Sequence, residues 1–559
     1  MKPAVRAFAF GLALATSLAV AFLVYRGSDS PWLAVPWILS LVPFALATRT
    51  RPRETRRPLR LSAAALLLLV VALPVLVRVA NLDPDRMHTD EFLSSYFSAT
   101  QDFAHSNFFG PIPNWYEWEA QFPSPYFFLQ RVFFRLFGTS TLTLRLSVQI
   151  YVAIVSLMLF LIVREIFDQS SAFIAVVLYS FFAVSVYLET LGLHFISSTA
   201  IFAVFFYFAL REYRTGETFH AALAGIACGL CFLTYYSSYL AFPMLFVFGV
   251  VHWLRARRWL VLQNFAVALA GMLLVLAPFV AFGMRSGNYV WHRTSQVSLL
   301  TGEWSNYREE IANGTRTPLS VIAENLVLSL KSFVQDEIGG HGGYDFGHRA
   351  FFDRFTLVLF LAGTLTGLVL LFRKTELLFV FAVIGASFLG GMVLTIPPPA
   401  YHRISIAFPF LVILMTLPLA LLLRIRLLPM SARYALVGGL LLVFACVNQR
   451  QFAEAVIHDQ PPDELRLSEL LNQKFDGRKV YVAAFDSFAF QKIFYFRDRW
   501  RKARQVETGF HANLLKKFNR EEKYVYVIIL ADAFRKAFAE ADPGGHWGRF
   551  SNSYSLFWN

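Results

Sequence analysis

The chain of 559 residues is too apolar for a soluble fold, because 56% of its residues are hydrophobic and only 16% are charged. A soluble protein of this length could not bury so many apolar side chains and still present a polar surface. Disorder requires the opposite composition. The net charge of +14 would suggest a nucleic-acid partner in a soluble protein, but no separate basic domain with stacking aromatic residues is present. The composition therefore predicts a polytopic α-helical membrane protein that does not bind nucleic acid.

Thirteen apolar segments are predicted to cross the membrane, because a hydrocarbon core of about 30 Å needs about 20 apolar residues per helix. When the segments cross the membrane alternately, the basic clusters between them all fall on the same side of the membrane. The positive-inside rule makes that side cytoplasmic. The loops 81–143 and 285–354 and the tail from residue 449 onward then lie outside. The predicted spans are residues 7–25, 32–48, 61–80, 144–166, 170–188, 191–210, 220–235, 237–254, 259–284, 355–372, 377–396, 404–424 and 432–448.

The first outer loop carries two candidate catalytic carboxylates, Asp90 and Glu91. A carboxylate at the outer membrane surface can accept a proton from an acceptor hydroxyl, as general-base catalysis requires. The same residues are also typical of a helix start, with Thr89 as the N-cap and the acids in the first turn. Both interpretations stay open from spacing alone.

A second feature of this loop is an apolar and aromatic run at residues 126–137. It predicts an amphipathic helix that lies in the membrane interface. Arg131 and Arg135 are four residues apart and therefore share one face of this helix.

The second outer loop ends in a glycine-rich stretch, residues 339–345, that is flexible enough to act as a lid. His341, Tyr344, Asp345 and the nearby His348 are the candidate lid contacts. Two histidines and an aspartate could also ligate a metal ion. The glycine spacing and the lack of a fourth ligand favour polar lid contacts instead.

The tail is predicted to be a small α/β domain outside the membrane. Residues 480–485 and 524–530 are β-branched and aromatic runs typical of buried strands. Helical patterns around 487–497 and 510–520 lie between them. The predicted domains are an N-terminal hairpin with a basic loop, 1–60, a transmembrane region, 61–448, and the tail, 449–559.

Several short motifs resemble the GT-C glycosyltransferases. The Asp90-Glu91 pair, after an early helix in the first large outer loop, resembles the acidic motif of that superfamily. The runs Phe122-Pro-Ser-Pro-Tyr126, Leu136-Phe-Gly138 and Leu144-Arg-Leu146 resemble its protein O-mannosyltransferase and aminoarabinose-transferase branch. Thirteen helices and an outer α/β tail also fit, and the resemblance spans most of residues 61–450.

This resemblance implies an enzyme of the bacterial inner membrane with its active site on the periplasmic side. It would move a sugar from a polyprenyl-phosphate carrier to a lipid, glycan or protein acceptor, without a metal ion or other cofactor. Attack on the face opposite the phosphate would invert the anomeric centre. A lipid or glycan transporter, or a polysaccharide polymerase or ligase, is the alternative. A transporter would show charges near the bilayer midplane and an inverted repeat, and neither is clear in the sequence.

The resemblance also implies roles for the outer carboxylates. Asp90 is the general base, and Glu91 supports it or contacts the sugar. The second acidic position corresponds to Glu189, which interrupts apolar sequence and must therefore face protein or water. Its alternative role is that of a cap residue at the outer surface. His194, which follows in the same segment, is a candidate substrate contact.

The late outer turn, residues 397–403, resembles the branch's motif of a basic residue before a helix. Arg403 and His402 would there hold the lipid-linked phosphate, for which a planar guanidinium is well shaped. Tyr401 and Arg131 are further candidate contacts to substrate. The alternative for Arg403 is a side chain that extends to the membrane interface.

Overall fold

The computed structural model describes most of the chain as two compact units. The first unit comprises Met1–Leu82, Asp102–Leu129 and Val148–His458, and the second comprises Asp83–Gln101, Gln130–Ser147 and Asp459–Asn559. The described residues are 3–49, 63–83, 88, 90–91, 94, 98–99, 108–110, 125–286, 292–338, 344–396, 399–425, 427–458, 463–475, 477–483, 506–509, 521–529, 531–551 and 554–559.

The first unit is built from helices. Two further helices, Pro125–Phe137 and Thr141–Ile166, belong in part to each unit. The helices of the first unit are Pro3–Tyr25, Ala34–Thr48, Ala63–Ala80, Gln169–Phe181, Ala183–Glu189, Phe195–Thr215, Thr218–Cys231, Ala241–Ala256, Trp259–Ser286, His292–Val297, Tyr307–Ala312, Pro318–Ser332, Arg354–Leu371, Glu376–Phe388, Phe408–Leu422 and Met430–His458. Short 3-10 turns at Pro31–Leu33, Tyr236–Leu240 and Tyr401–Ala407 and a π-helical turn at Leu389–Val393 complete it.

Ten helices in the described part of the chain are long and apolar enough to cross a membrane. The pair Gln169–Phe181 and Ala183–Glu189, bent by 61°, forms an eleventh candidate, and Leu68–Ala80 and Thr218–Cys231 are shorter apolar helices. Each predicted span overlaps one of these helices. The class of polytopic helical membrane protein is confirmed, whereas the number of thirteen crossings stays a prediction.

The second unit contains a five-stranded mixed sheet. The strands are β1 Lys479–Ala483, β2 Val506–Gly509, β3 Tyr524–Ile529, β4 His546–Arg549 and β5 Tyr554–Trp558, in the order β2-β1-β3-β5-β4. β1 runs parallel to β2 and β3, whereas β5 runs antiparallel to β3 and β4. The two strands predicted in the tail are β1 and β3.

Alternation along the central strands gives this sheet two buried faces. Val480 and Val525 pack with Leu471 of the helix Asp463–Lys474 on one face. Tyr481 and Tyr526 pack on the other face, against the helix Ala531–Ala541 through Phe538.

Two sequence-based expectations about the tail need comment. The predicted helical segments 487–497 and 510–520 lie outside the described residues. The predicted domain boundary at residue 448 falls inside the helix Met430–His458, which continues to His458.

Candidate active site

Glu91 and Arg145 form a buried ion pair in the second unit. Nε and Nη2 of Arg145 each donate to one carboxylate oxygen of Glu91, both at 2.9 Å. The remaining Arg145 nitrogen, Nη1, donates to the backbone carbonyl of Asp83. A bidentate pair of this kind fixes the orientation of both groups. Because both Glu91 oxygens bind Arg145, the geometry favours the supporting role predicted for Glu91 over a direct sugar contact.

Asp90 differs from Glu91 in its exposure. Its side chain is half-buried, whereas that of Glu91 is buried. The N–H of Asp90 donates to Nδ1 of His88 at 3.1 Å, and the N–H of His88 donates to Glu91 Oε2 at 2.9 Å. The Arg145 pair therefore anchors the short turn that carries Asp90. Asp90 and Glu91 are helical, so the two interpretations of these residues, as a helix start and as the position of a general base, are compatible. Thr89, the predicted N-cap, lies outside the described residues.

The predicted span 170–188 is broken at Phe182, whose ψ of 108° is extended. At the break, the N–H of Ala183 donates to the side-chain oxygen of Asn448 at 3.0 Å rather than to the Tyr179 carbonyl. That carbonyl accepts from Nη2 of Arg78 at 3.2 Å. Because water is absent from the hydrocarbon core, polar side chains must supply the partners that the broken helix loses.

Arg78 also binds Glu189. Its Nε donates to Glu189 Oε2 at 2.7 Å, and the Tyr179 hydroxyl donates to Oε1 at 2.8 Å. Arg78 is fully buried and Glu189 is 1% exposed, so Glu189 is not a surface cap. With both oxygens occupied, Glu189 serves as the counter-ion of Arg78. Its predicted catalytic role stays a prediction that this geometry does not favour.

Several predicted substrate contacts meet in a row of aromatic rings in the first unit. The rings of His402 and Tyr344 have centroids 3.8 Å apart. Tyr235 lies 5.9 Å from His402 and 5.0 Å from His194, by ring centroids. His194 in turn contacts Tyr126 at 6.0 Å. His194, Tyr344 and His402, which the sequence analysis proposed separately, therefore lie in one row of rings. Tyr235, which the sequence analysis did not propose, lies between His194 and His402.

A cavity of about 520 Å³ lies beside Arg403 in the first unit. Apart from Arg403, its lining carries no charged side chain and is mainly apolar or aromatic, with three serines and one threonine, which suits a lipid-like ligand. Arg403 is 8% exposed and donates through one guanidinium nitrogen to the Ile396 carbonyl. This burial argues against a side chain that extends to the interface. The lining comes from residues 235–243, 297–298, 386–395, 403 and 406.

Two other predicted substrate contacts bind backbone groups. Arg131 donates through Nη1 to the carbonyls of Ser98, at 3.1 Å, and Ala99. The Tyr401 hydroxyl donates to the Ser332 carbonyl at 2.7 Å, and its side chain is buried. These contacts hold local structure, and a substrate contact by either side chain stays a prediction.

The predicted lid residues that the structure describes belong to a tight turn. Nδ1 of His348 lies 2.7 Å from Asp345 Oδ2. Phe346, Gly347 and His348 have φ values of 58°, 60° and 59°, which is strained backbone for the two non-glycine residues. Phe346 is buried against Tyr187, with ring centroids 5.1 Å apart, and this packing holds the turn. His341 lies outside the described residues.

Metal binding was predicted to be unnecessary. Within the described ranges, no three His, Cys, Asp or Glu side chains are grouped to hold a metal ion. Since His341 is outside those ranges, metal-independent transfer stays a prediction.

Sequence reasoning missed the partners of both buried carboxylates. Arg78 is the only charged residue in the helix Ala63–Ala80, and a lone charge inside an apolar span is itself a signal of a buried partner. Arg145 stood in the Leu144-Arg-Leu146 motif, but nothing local indicated that it binds Glu91. Tyr235 carried no signal in the sequence.

Residues 123–282 match the family model described as dolichyl-phosphate-mannose-protein mannosyltransferase. Comparison of the sequence with curated proteins gives no match.

Among solved structures, the chain is similar to ArnT from Cupriavidus metallidurans bound to undecaprenyl phosphate. The TM-score is 0.52 at 14% identity, over 89% of this chain and 98% of ArnT. The Archaeoglobus fulgidus oligosaccharyltransferase in its apo form gives 0.51 at 13% identity, over 87% and 73% of the two chains. AglB from the same organism, in complex with an inhibitory peptide and a dolichol-phosphate, gives 0.50 at 12% identity, over 88% and 73%.

Likeness at this identity shows the fold, and the family-model match over residues 123–282 supports a glycosyltransferase. The transporter alternative is therefore set aside in favour of an enzyme. The helical unit and the mixed sheet of the second unit both lie within the part of the chain that these structures cover. The chain therefore has the fold of the GT-C membrane glycosyltransferases, and its residues 123–282 match a mannosyltransferase family model.

Proposed function

We propose that the enzyme moves one sugar from a polyprenyl-phosphate carrier to a hydroxyl of a lipid, glycan or protein acceptor on the outer face of a bacterial inner membrane. Two structures of the same fold contain lipids of this class, undecaprenyl phosphate in ArnT and a dolichol-phosphate in AglB. The apolar cavity beside Arg403 supports a similar ligand in this chain, because it combines a lipid-like lining with one buried cation.

The observation that carries the proposal is the difference between Asp90 and Glu91. Arg145 neutralises Glu91 and occupies both of its oxygens. Asp90 is half-buried and sits on the turn that this pair anchors. A general base needs a defined position and access to the acceptor. Asp90 meets both requirements, and we assign the base to it.

The reaction then follows from the leaving group. The Asp90 carboxylate accepts the proton of the acceptor hydroxyl while that oxygen bonds to the anomeric carbon. The bond between the anomeric carbon and the phosphate oxygen breaks, and its electron pair leaves with the polyprenyl phosphate. Attack opposite the phosphate inverts the anomeric centre. The released phosphate is a good leaving group, so it needs positive charge more than it needs a proton.

Arg403 is assigned to supply that charge. A guanidinium forms paired hydrogen bonds with phosphate oxygens and keeps its proton at all relevant pH values. Its burial strengthens the interaction, because few water molecules compete with the phosphate. His402, packed on Tyr344, is assigned to the same phosphate or to the sugar beside it.

Mass spectrometry of membrane glycolipids and surface glycans tests the proposal in cells that lack the native gene. The wild type, Asp90→Asn and the control Glu309→Gln, an exposed glutamate that also loses its charge, would be expressed at matched folded levels. We expect a sugar increment with the wild type and the control, and none with Asp90→Asn. Normal transfer by folded Asp90→Asn would refute Asp90 as the base.

A further inference from the structure

One wall of the cavity beside Arg403 is a π-helical turn, Leu389–Val393. It continues the α-helix Glu376–Phe388, and its hydrogen bond runs from the Leu394 N–H to the Leu389 carbonyl at 2.9 Å. π-helical turns are rare within α-helices and occur frequently at functional sites. A specific function of this wall would explain why the helix is distorted there.

Two glycines give the wall its shape. A Cβ on Gly391 would lie 2.8 Å from the Arg403 carbonyl oxygen and 3.0 Å from Cγ2 of Ile404, so only glycine allows this close approach. A Cβ on Gly390 would meet no atom within 4 Å, although Gly390 lines the cavity. The wall is therefore bare backbone beside Arg403, and a side chain at position 390 would fill open space at the edge of the cavity.

Asn325 holds this wall in place from the helix Pro318–Ser332. Its Nδ2 lies 3.1, 2.7 and 3.2 Å from the carbonyl oxygens of Met392, Val393 and Thr395. Asn325 is buried, and the described residues 394–396 that follow the turn are not helical. Arg403 binds the next carbonyl along, that of Ile396. Asn325 thus caps the π-helical turn, while Arg403 ties its end to the candidate phosphate site.

We infer that this glycine wall selects the lipid of the carrier by its methyl-branched isoprene units next to the phosphate, with Asn325 as the positioning residue. The inference rests on the proposed function, because it requires a lipid carrier in this cavity. An isoprene chain carries a methyl branch on every fourth main-chain carbon, and bare backbone at Gly390 leaves room for such branches. A straight alkyl chain has no branch to place there.

Binding to the full-length protein in phosphatidylcholine nanodiscs tests the inference. The probes are undecaprenyl phosphate and a matched pair, 3,7,11-trimethyldodecyl phosphate and dodecyl phosphate, which share the phosphate and the saturated main chain and differ only in methyl branches. The test variant is Gly390→Leu. The matched control is Gly385→Leu, since a Cβ there also meets nothing within 4 Å and Gly385 does not line the cavity. Leu at 390 excludes about two methylene groups of lipid, so undecaprenyl phosphate should bind about tenfold more weakly.

We expect the wild type and Gly385→Leu to bind undecaprenyl phosphate and to prefer 3,7,11-trimethyldodecyl phosphate to dodecyl phosphate, and Gly390→Leu to lose most of this preference. Asn325→Leu should resemble Gly390→Leu; if it does not fold, Gly390→Leu decides alone. Wild-type affinity and preference in Gly390→Leu would overturn the inference, as would equal losses for both lipids of the matched pair. Failure of the wild type to bind undecaprenyl phosphate would instead refute the proposed function.

Discussion

Nε of Arg78 lies 2.7 Å from Oε2 of Glu189, and this buried pair stabilises a transmembrane span that is broken at Phe182. The guanidinium binds both the carboxylate and the backbone carbonyls of Tyr179 and Ser180. The charge of Arg78 would be costly alone in the membrane. Paired with Glu189, it supplies hydrogen-bond donors to the backbone carbonyls at the helix break. The same contacts occupy the second acidic residue that the sequence proposed for catalysis.

The first prediction separates a structural role of Glu189 from a catalytic one. Arg78→Met should destabilise the protein by about 3–5 kcal/mol, because it leaves Glu189 buried without its partner. The double variant Arg78→Met/Glu189→Leu should recover part of this stability, because the Tyr179 and Ser180 carbonyls still lack their donor, and it should retain sugar transfer. Thermal unfolding in detergent and the transfer assay are the two measurements. A folded double variant without transfer would restore the catalytic role of Glu189.

The second prediction concerns the pair that anchors Asp90. Arg145→Met should lower stability by about 3–5 kcal/mol for the same reason, since Glu91 is buried. Arg145→Met/Glu91→Leu should recover the fold yet transfer sugar more slowly, because Asp90 loses its anchored turn. Unfolding temperatures and transfer rates would be compared at equal protein amounts. Wild-type rates in the folded double variant would contradict the anchoring role.

The third prediction assigns Arg403 to the carrier phosphate. Arg403→Ala should weaken undecaprenyl phosphate binding by about 2 kcal/mol or more, since a charge-assisted hydrogen bond to a buried phosphate is lost. Arg308→Ala, at an exposed arginine of the second outer loop, is the control and should bind normally. Affinities would be measured in nanodiscs beside unfolding temperatures. An unchanged affinity in Arg403→Ala would remove Arg403 from the site.

The fourth prediction concerns metal ions. Transfer should persist after treatment with a chelator, because Arg403 can supply the positive charge that a divalent ion would otherwise provide. The assay compares chelated enzyme with enzyme to which Mg²⁺, Mn²⁺ or Zn²⁺ has been added back. Loss of transfer on chelation with recovery on adding one ion would direct attention to His341, Asp345 and His348.

The fifth prediction follows from Asp168, the N-cap of the helix Gln169–Phe181. Burial would raise the pKa of Asp168, but the Ser171 N–H and the Arg424 guanidinium outweigh it and hold the pKa below its usual range. Such a group stabilises the fold above the pKa of an unfolded aspartate, about 3.9, and this stabilisation disappears as pH falls through the lower folded value. Asp168→Asn should therefore be less stable than wild type by up to about 1 kcal/mol at pH 7.

The difference in unfolding temperature between Asp168→Asn and wild type should shrink as the pH is lowered below about 4. Glu309→Gln, at an exposed glutamate without this cap, should show no such trend. A difference that is constant with pH would mean that the charge of Asp168 contributes nothing.

The membrane class and the approximate spans followed from the sequence because they depend on local quantities. Hydropathy over about 20 residues and the positions of basic loops respond to the thickness and sidedness of the bilayer. The strands β1 and β3 of the second unit were also predicted, since runs of β-branched and aromatic residues are local signals. The prediction that Asp90 lies in an outer loop, and the superfamily resemblance built on it, also came from local patterns in the sequence.

The tertiary structure alone decided which carboxylates have partners and where the cavity lies. Glu91 pairs with a residue 54 positions away, and Glu189 with one 111 positions away. The wall beside Arg403 depends on Asn325, 67 residues before the nearest carbonyl that it binds. A buried charge shows in sequence only as an interruption of an apolar run. Its partner is set by how the helices pack, and no local pattern records that packing.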